Sequence, residues 1–259
     1  MRLAPDLGRD AQAAFFLDID GTLLEHRPHP DDVMADDTLR FLLRSLFDTF
    51  DGAVAFITGR NIETADRIFA PLRMPAAGLY GLEHRLLADG PVKKAVEPAD
   101  LAAVADALQA TFHTDQGIYF ERKGPVLAVH TRAAPHLLPE VRTAAQEALT
   151  TLPEGYRIVV GRAGLEFLPI EALKSAAIER FMHESPFKGR YPVFVGDDVA
   201  DEAGFEYVNS VGGISVRVRP AGQTTALYQL PDVQAVHEWL RQALKTTSGT
   251  AAVPWGWTG

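Results

Sequence analysis

Three short apolar runs in this chain each stop at a polar cluster, and stretches of helical period lie between them. Ala14-Phe15-Phe16-Leu17 ends at Asp18, the run 53–57 ends at Thr58-Gly59-Arg60, and Val193-Phe194-Val195 ends at Gly196-Asp197-Asp198. Runs this short and this apolar read as strands buried on both faces, the pattern of a parallel sheet. After the first of them, Leu39, Leu42, Leu43, Leu46 and Phe47 recur at helical spacing over residues 37–50. A second helical stretch covers 62–70 and is punctuated by Pro71. Strand alternating with helix predicts a Rossmann-like α/β domain, a parallel sheet with helices on both faces. In open sheets of this kind ligands bind beyond the carboxyl ends of the strands, which is where all three polar clusters fall.

The middle of the chain has another rhythm. A hairpin is expected over 85–96 around Asp89-Gly90. A helix over 99–111 precedes strands at 118–121 and 126–131, and a helix over 138–149 precedes strands at 157–160 and 165–168. Helix-strand-strand twice over predicts a small α+β module with a largely antiparallel sheet. After Pro169 the first rhythm returns, with helices near 172–182, 201–207 and 233–244 and strands at 193–195 and 214–216. The expected division is a discontinuous α/β core domain (1–84 and 169–247), an inserted α+β cap domain (85–168) and a flexible tail (248–259) carrying Trp255 and Trp257.

The formal charge is −9, from 25 basic and 34 acidic residues. A surface of that sign repels the nucleic-acid backbone, so no polynucleotide partner is expected, whereas a small anion can still answer to a local field of metal, Lys and Arg. There is no cysteine, which removes disulfides and thiolate metal sites. The first ten residues are too polar for a signal peptide, and no apolar run approaches the ~20 residues of a membrane span. A cytosolic protein, monomeric or weakly oligomeric, with no membrane partner is the expectation.

Asp18 and Asp20 can serve one small site if the chain turns sharply between them, which Gly21 permits. Asp18 can attack phosphorus, and Asp20 can handle the proton of the leaving oxygen. Two like charges so close raise one pKa, which suits an acid/base role. The plain alternative is a pair of turn or capping aspartates. Thr58, with backbone N–H groups at a helix start, offers a phosphate cradle, the alternative being a simple cap. Lys174 can hold phosphate oxygens and steady Asp18, although a lone helical lysine is usually solvent-facing. Four carboxylates follow Gly196 in six positions: Asp197 is the best ligand for Mg²⁺, a cation that prefers oxygen donors, and Asp198 the next. Asp201 and Glu202 read as caps of the following helix.

Taken in this order, the four pieces resemble the signature of the haloacid dehalogenase superfamily of phosphotransferases. The resemblance implies that Asp18 is nucleophile and metal ligand, and that Asp20 is acid/base and a ligand through its carbonyl. Thr58 and Lys174 would hold phosphate, and Asp197 would complete a Mg²⁺ site. Among the superfamily's capped sugar-phosphate phosphatases, the chain looks most like the trehalose-6-phosphate phosphatase family. That likeness rests on Thr58-Gly59-Arg60, Gly78-Leu79-Tyr80-Gly81-Leu82-Glu83, Glu121-Arg122-Lys123, His130-Thr131-Arg132, Gly161 with Glu166, and the segment from Gly196 to Glu202. It implies hydrolysis of trehalose 6-phosphate, with Gly59, Arg60, Glu83, Glu121, Lys123, His130, Arg132 and Glu166 binding substrate. Glu121, Lys123, His130 and Arg132 would equally suit the polar face of a half-exposed antiparallel sheet. The family usually has Thr where this chain has Ala200, and Gly where it has Ser175. Phosphatases of sucrose phosphate or mannosylphosphoglycerate, a phosphosugar mutase, and a non-catalytic sugar-phosphate-binding protein are the rivals.

Overall fold

The computed structural model describes residues 2–27, 32–94, 101–115, 117–152, 154–161 and 164–245. Strands β1 (Arg2–Leu3), β2 (Ala13–Leu17), β3 (Val54–Ile57), β4 (Ala76–Gly78), β5 (Glu83–Arg85) and β6 (Lys93–Lys94) come first, with helices α1 (Asp37–Thr49) and α2 (Ile62–Phe69) between them. The middle of the chain supplies α3 (Ala102–Thr111), β7 (Tyr119–Lys123), β8 (Val126–His130), α4 (Leu138–Leu149), β9 (Tyr156–Gly161) and β10 (Gly164–Pro169). Then follow α5 (Lys174–Met182), β11 (Tyr191–Gly196), α6 (Glu202–Ser210), β12 (Ile214–Val218), β13 (Tyr228–Leu230) and α7 (Val233–Ala243).

The large sheet runs β1-β13-β12-β11-β2-β3-β4-β5-β6. Its pairs from β1 to β4 are parallel, and β5 and β6 close one edge antiparallel. Strand β2 is buried along its whole length, and alternation sends its side chains to two cores. Phe15 and Leu17 pack with α1, α2 and α7, while Ala14 and Phe16 pack with α5 and α6. Each of these large side chains, fully removed from water, stabilises the fold by about 1.5 to 3 kcal/mol before entropy is counted. Local signals start the helices: Asp36 accepts from Leu39 N–H at 2.8 Å, and Asn61 accepts from Thr64 N–H at 2.7 Å.

The chain proceeds from β2 toward β3 and β4 on one side, and from β11 toward β12 and β13 on the other. The sheet therefore changes direction at the β2–β11 pair, and a crevice opens beyond their carboxyl ends. The inserted module is a four-stranded antiparallel sheet, β7-β8-β10-β9. One face packs Leu127, Val129, Leu165 and Phe167 against α3 and α4. Its other face turns toward the crevice, and Val126 and Leu168 join Leu79, Leu82 and Ala172 of the large domain in a small apolar seam.

Three findings differ from the sequence reading. The hairpin expected to open the insert instead extends the large sheet, through Ala76↔Arg85 and Glu83↔Lys94 pairs. Buried Arg85 anchors it there by a two-pronged ion pair to Asp66 at 2.6 Å. Strands β1, β4 and β13 were not legible, being two or three residues long with little β-branched content. The acidic helix begins with a 3₁₀ turn, Val199–Asp201, before α6. Residues 95–100, with the end of the hairpin and the start of the expected helix, and the tail from 246, with Trp255 and Trp257, lie outside the described residues. Among the described residues, no helix is long and apolar enough to cross a membrane.

Candidate active site

Asp18 lies at the tip of β2, and its N–H donates to the Val195 carbonyl of β11 at 3.0 Å. Lys174, the first residue of α5, is 3% exposed and brings its ammonium to 2.6 Å from both Asp18 Oδ1 and Asp201 Oδ1. The other Asp201 oxygen accepts the N–H groups of Asp197 and Asp198, each at 2.9 Å. Asp201 is thus more than the helix cap read from sequence, since it also fixes the lysine. Gly196 is needed for this, because a Cβ there would run into the Asp201 carboxylate. Burial works against the Lys174 charge, yet the two carboxylates more than reverse that, and its pKa lies above the usual lysine value.

Asp18, Asp197 and Asp201 gather oxygens within 4.8 Å of one another in a buried cluster. Burial first, then the Asp201 and Asp197 charges, push the Asp18 carboxyl well above its ordinary range against the pull of Lys174. Three buried carboxylates facing one ammonium make a site of excess negative charge with hard oxygen donors. That donor set fits a divalent metal ion. Gly21 makes the approach possible: its φ is +77°, and a side chain there would collide with the Asp197 carboxylate.

Asp20 is held differently. Arg60 Nε and Nη2 donate to its two oxygens at 2.7 Å each. Burial would raise the Asp20 pKa, but the Arg60 hydrogen bonds and charge outweigh it and lower the value. The carboxyl with the raised pKa is therefore Asp18, while Asp20, the acid/base candidate, rests as a carboxylate. Thr58 is buried, and its hydroxyl oxygen accepts the Arg60 N–H at 3.1 Å. Gly59 lines the cleft and offers its carbonyl to Lys123 Nζ at 3.3 Å.

The cap contributes from three strands. Lys123 donates to Glu166 at 2.8 Å, and Glu121 meets His130 Nε2 at 2.9 Å. The strand register explains the grouping, since Glu121 and Glu166 both stand opposite Ala128, on neighbouring sides. Burial alone would raise Glu121, but the His130 hydrogen bond and the Lys123, His130 and Arg60 charges lower it to about 2. Arg132 also lines the cleft, whose volume is about 200 Å³. Glu83 does not line it: its carboxylate accepts the Ile62 N–H at 3.0 Å and serves the start of α2.

Four residues gained importance only with the structure. Tyr80, from the 3₁₀ turn that follows β4, donates its hydroxyl to Glu166 Oε2 and places its ring 5.9 Å from Lys174 Nζ. His26 Nε2 lies 3.4 Å from Asp197 Oδ2. Asp201 is described above, and Arg217 Nη1 donates to the Asp198 carbonyl and to Glu202, each at 2.8 Å. Tyr80 sat within a quoted segment, but nothing local marks a tyrosine as a cross-domain donor.

A parallel sheet with Asp18 at its central tip, lysine and acidic loop beside it, and a cap across the crevice make up a fold shared with haloacid dehalogenase-like hydrolases. The trehalose-phosphatase family model matches residues 16–234, and the chain belongs to that family. It is 38% identical over 234 residues to the trehalose-6-phosphate phosphatase of Escherichia coli, spanning 89% of this chain and 86% of that one. It is also 38% identical over 224 residues to a protein of Sinorhizobium fredii named "Probable trehalose-phosphate phosphatase", across 86% and 84% of the two chains. The trehalose-6-phosphate phosphatase C-terminal domain of C. albicans shares the fold, with a TM-score of 0.76 at 19% identity over 94% of this chain and 98% of that one.

Proposed function

We propose that this protein hydrolyses trehalose 6-phosphate to trehalose and phosphate through an aspartyl-phosphate on Asp18. The observation that carries the reading is that Lys174-bound Asp18 and the cap residues Glu121, Lys123 and Glu166 line one cleft. A phosphoryl group at Asp18 would leave its sugar facing groups suited to hydroxyl recognition.

In the first step an Asp18 oxygen attacks phosphorus in line, and the bond from phosphorus to the sugar oxygen breaks. Lys174 neutralises phosphate charge, with Thr58 and the following N–H groups as further donors. Arriving phosphate competes for Arg60; Asp20, released from that pair beside an anion, takes up a proton and passes it to the departing sugar oxygen. In the second step the Asp20 carboxylate removes a proton from water, the resulting hydroxide attacks phosphorus, and the bond to Asp18 breaks. Held by Asp18, Asp197 and the Asp20 carbonyl, Mg²⁺ would supply charge neutralisation at the phosphate oxygens. Glu121, Lys123, His130, Arg132 and Glu166 bind the sugar, and the enzyme works in the cytosol as a monomer or weak oligomer.

The test is phosphate release from trehalose 6-phosphate, sucrose phosphate, mannosylphosphoglycerate and glucose 6-phosphate, with Mg²⁺ and with chelator. Highest kcat/KM on trehalose 6-phosphate, lost with chelator and in Asp18→Asn, is expected. Faster turnover of another member of the panel would replace the substrate. Wild-type-like release by Asp18→Asn would overturn the mechanism, and isomer interconversion without phosphate release would identify a mutase.

A further inference from the structure

Tyr80 meets the Thr58 loop, the Lys174 ammonium and the cap. Its N–H donates to the Thr58 carbonyl at 3.0 Å, and the preceding Leu79 N–H donates to the Arg60 carbonyl at 2.9 Å. Both residues are left-handed, with φ of 48° for Leu79 and 59° for Tyr80. Side chains rarely adopt that backbone at no cost, so the surroundings hold it in place. The ring fills the space beside Gly59, where any Cβ would strike the phenol oxygen. From there the ring faces the Lys174 ammonium, and the hydroxyl crosses to the cap and donates to Glu166.

The cap side of this contact is also engaged. Glu166 is shared between Tyr80 and Lys123, and Lys123 in turn reaches the Gly59 carbonyl. A continuous chain of contacts therefore runs from Lys123 and Glu166 through Tyr80 to Lys174 and Asp18. Burial, then the Glu166 charge, hold the Tyr80 phenol well above its ordinary pKa, so it remains a donor across the working pH range. The cleft left between cap and core is about 200 Å³, below the ~300–1,000 Å³ typical of small-molecule sites. A sugar phosphate fills more than this volume, so binding calls for the cap to move, and a movement of the cap away from the core would break the Tyr80–Glu166 bond.

We infer that Tyr80 is a positioning residue that couples cap closure to the catalytic lysine and favours substrates large enough to engage the cap. The inference rests on the proposed sugar-phosphate hydrolysis. With the cap open, the Tyr80 ring loses its hydroxyl anchor. With the cap shut over a substrate, Glu166 fixes the ring against Gly59 and Lys174, and the phosphate-binding side of the site is set. A small aryl phosphate that leaves the cap unengaged gains nothing from this device. On this inference the sugar and the tyrosine both favour the closed position of the cap.

The experiment measures kcat and KM for trehalose 6-phosphate and for p-nitrophenyl phosphate in wild type, Tyr80→Phe, Glu166→Gln and the double variant. Tyr80→Phe keeps the ring and removes one oxygen; thermal melting verifies folding. The expected result is a loss of about tenfold in kcat on the sugar phosphate, at least threefold beyond the loss on p-nitrophenyl phosphate. The double variant should fall no further than the worse single variant. Equal losses on both substrates, or independent losses that multiply, would overturn the coupling while leaving the proposed activity intact. If wild type prefers another sugar phosphate, the same cycle is read on that compound. If it releases phosphate only from p-nitrophenyl phosphate, the proposed activity and the coupling fall together.

Discussion

Arg60 grips both carboxylate oxygens of Asp20 at 2.7 Å, so the acid/base candidate is tied to the loop that follows Thr58. Forked arginine–carboxylate pairs combine charge with fixed orientation, and lysine cannot reproduce the fork. Arg60→Lys should therefore lower kcat/KM by about 10²-fold, the scale of one well-placed charged donor or a misplaced acid/base. Steady-state kinetics on the best substrate of the panel check it. An unchanged kcat/KM would mean that the pair is incidental to turnover.

Asp201 answers to Lys174 with one oxygen and to two backbone N–H groups with the other. Asp201→Asn can keep only one of these, because its NH₂ group donates. Breaking a buried ion pair by removing one partner costs about 3 to 5 kcal/mol. The expected outcome is a clear fall in the denaturation midpoint together with loss of most activity. Loss of activity at an unchanged midpoint would contradict a structural contribution from this residue.

Arg217 is 3% exposed and joins the Asp198 carbonyl to Glu202, which itself accepts from Thr225. The loop that presents Asp197 is thereby braced from β12. Groups that orient metal ligands without touching the ion are worth about 10- to 100-fold in metal affinity. Arg217→Met should raise the Mg²⁺ concentration for half-maximal activity by about that factor, read by titrating Mg²⁺ into metal-stripped enzyme. An unaltered Mg²⁺ titration would remove Arg217 from the metal loop's support.

Glu121 supplies a pH signature. Its pKa falls from 4.5 to about 2 in the folded cap, so its stabilising contribution is complete above 4.5. That contribution disappears as pH falls from 4.5 through about 2, where folded and unfolded states bind the proton equally. At 1.36 kcal/mol per unit the shift has an upper bound of about 3 kcal/mol, and solvent at this half-buried site reduces it to about 1 to 2 kcal/mol. Glu121→Gln should flatten part of the acid dependence of unfolding between pH 5 and 3, measured by urea melts. A variant as acid-sensitive as wild type would show that the His130 and Lys123 contacts contribute no net stability.

Much of the large domain was legible because its signals are local. Ala14 to Leu17 is apolar and short, Leu39, Leu42, Leu43, Leu46 and Phe47 recur at helical spacing, and Asp18, Thr58 and Asp197 each follow a buried strand directly. A strand that ends at a polar residue announces where that residue sits. The hairpin at β5–β6 misled for the converse reason: two short polar strands carry no mark of the sheet they join, and the buried Arg85–Asp66 pair decided it.

For the site, the amino-acid sequence by itself determined that Asp18 ends a buried strand, that Gly21 can turn the chain, and that an acidic loop follows Val195. Tertiary structure alone decided which of these groups meet. Lys174 reaches Asp18 across 156 positions and Tyr80 reaches Glu166 across 86. It also turned Glu83 into the support of α2, gave Asp201 two duties, and raised the Asp18 carboxyl instead of that of Asp20. Periodicity states which face of an element a side chain occupies, but not what another element will bring opposite it. Charge, pKa and hydrogen bonding depend on that opposite partner, so they are properties of the folded chain.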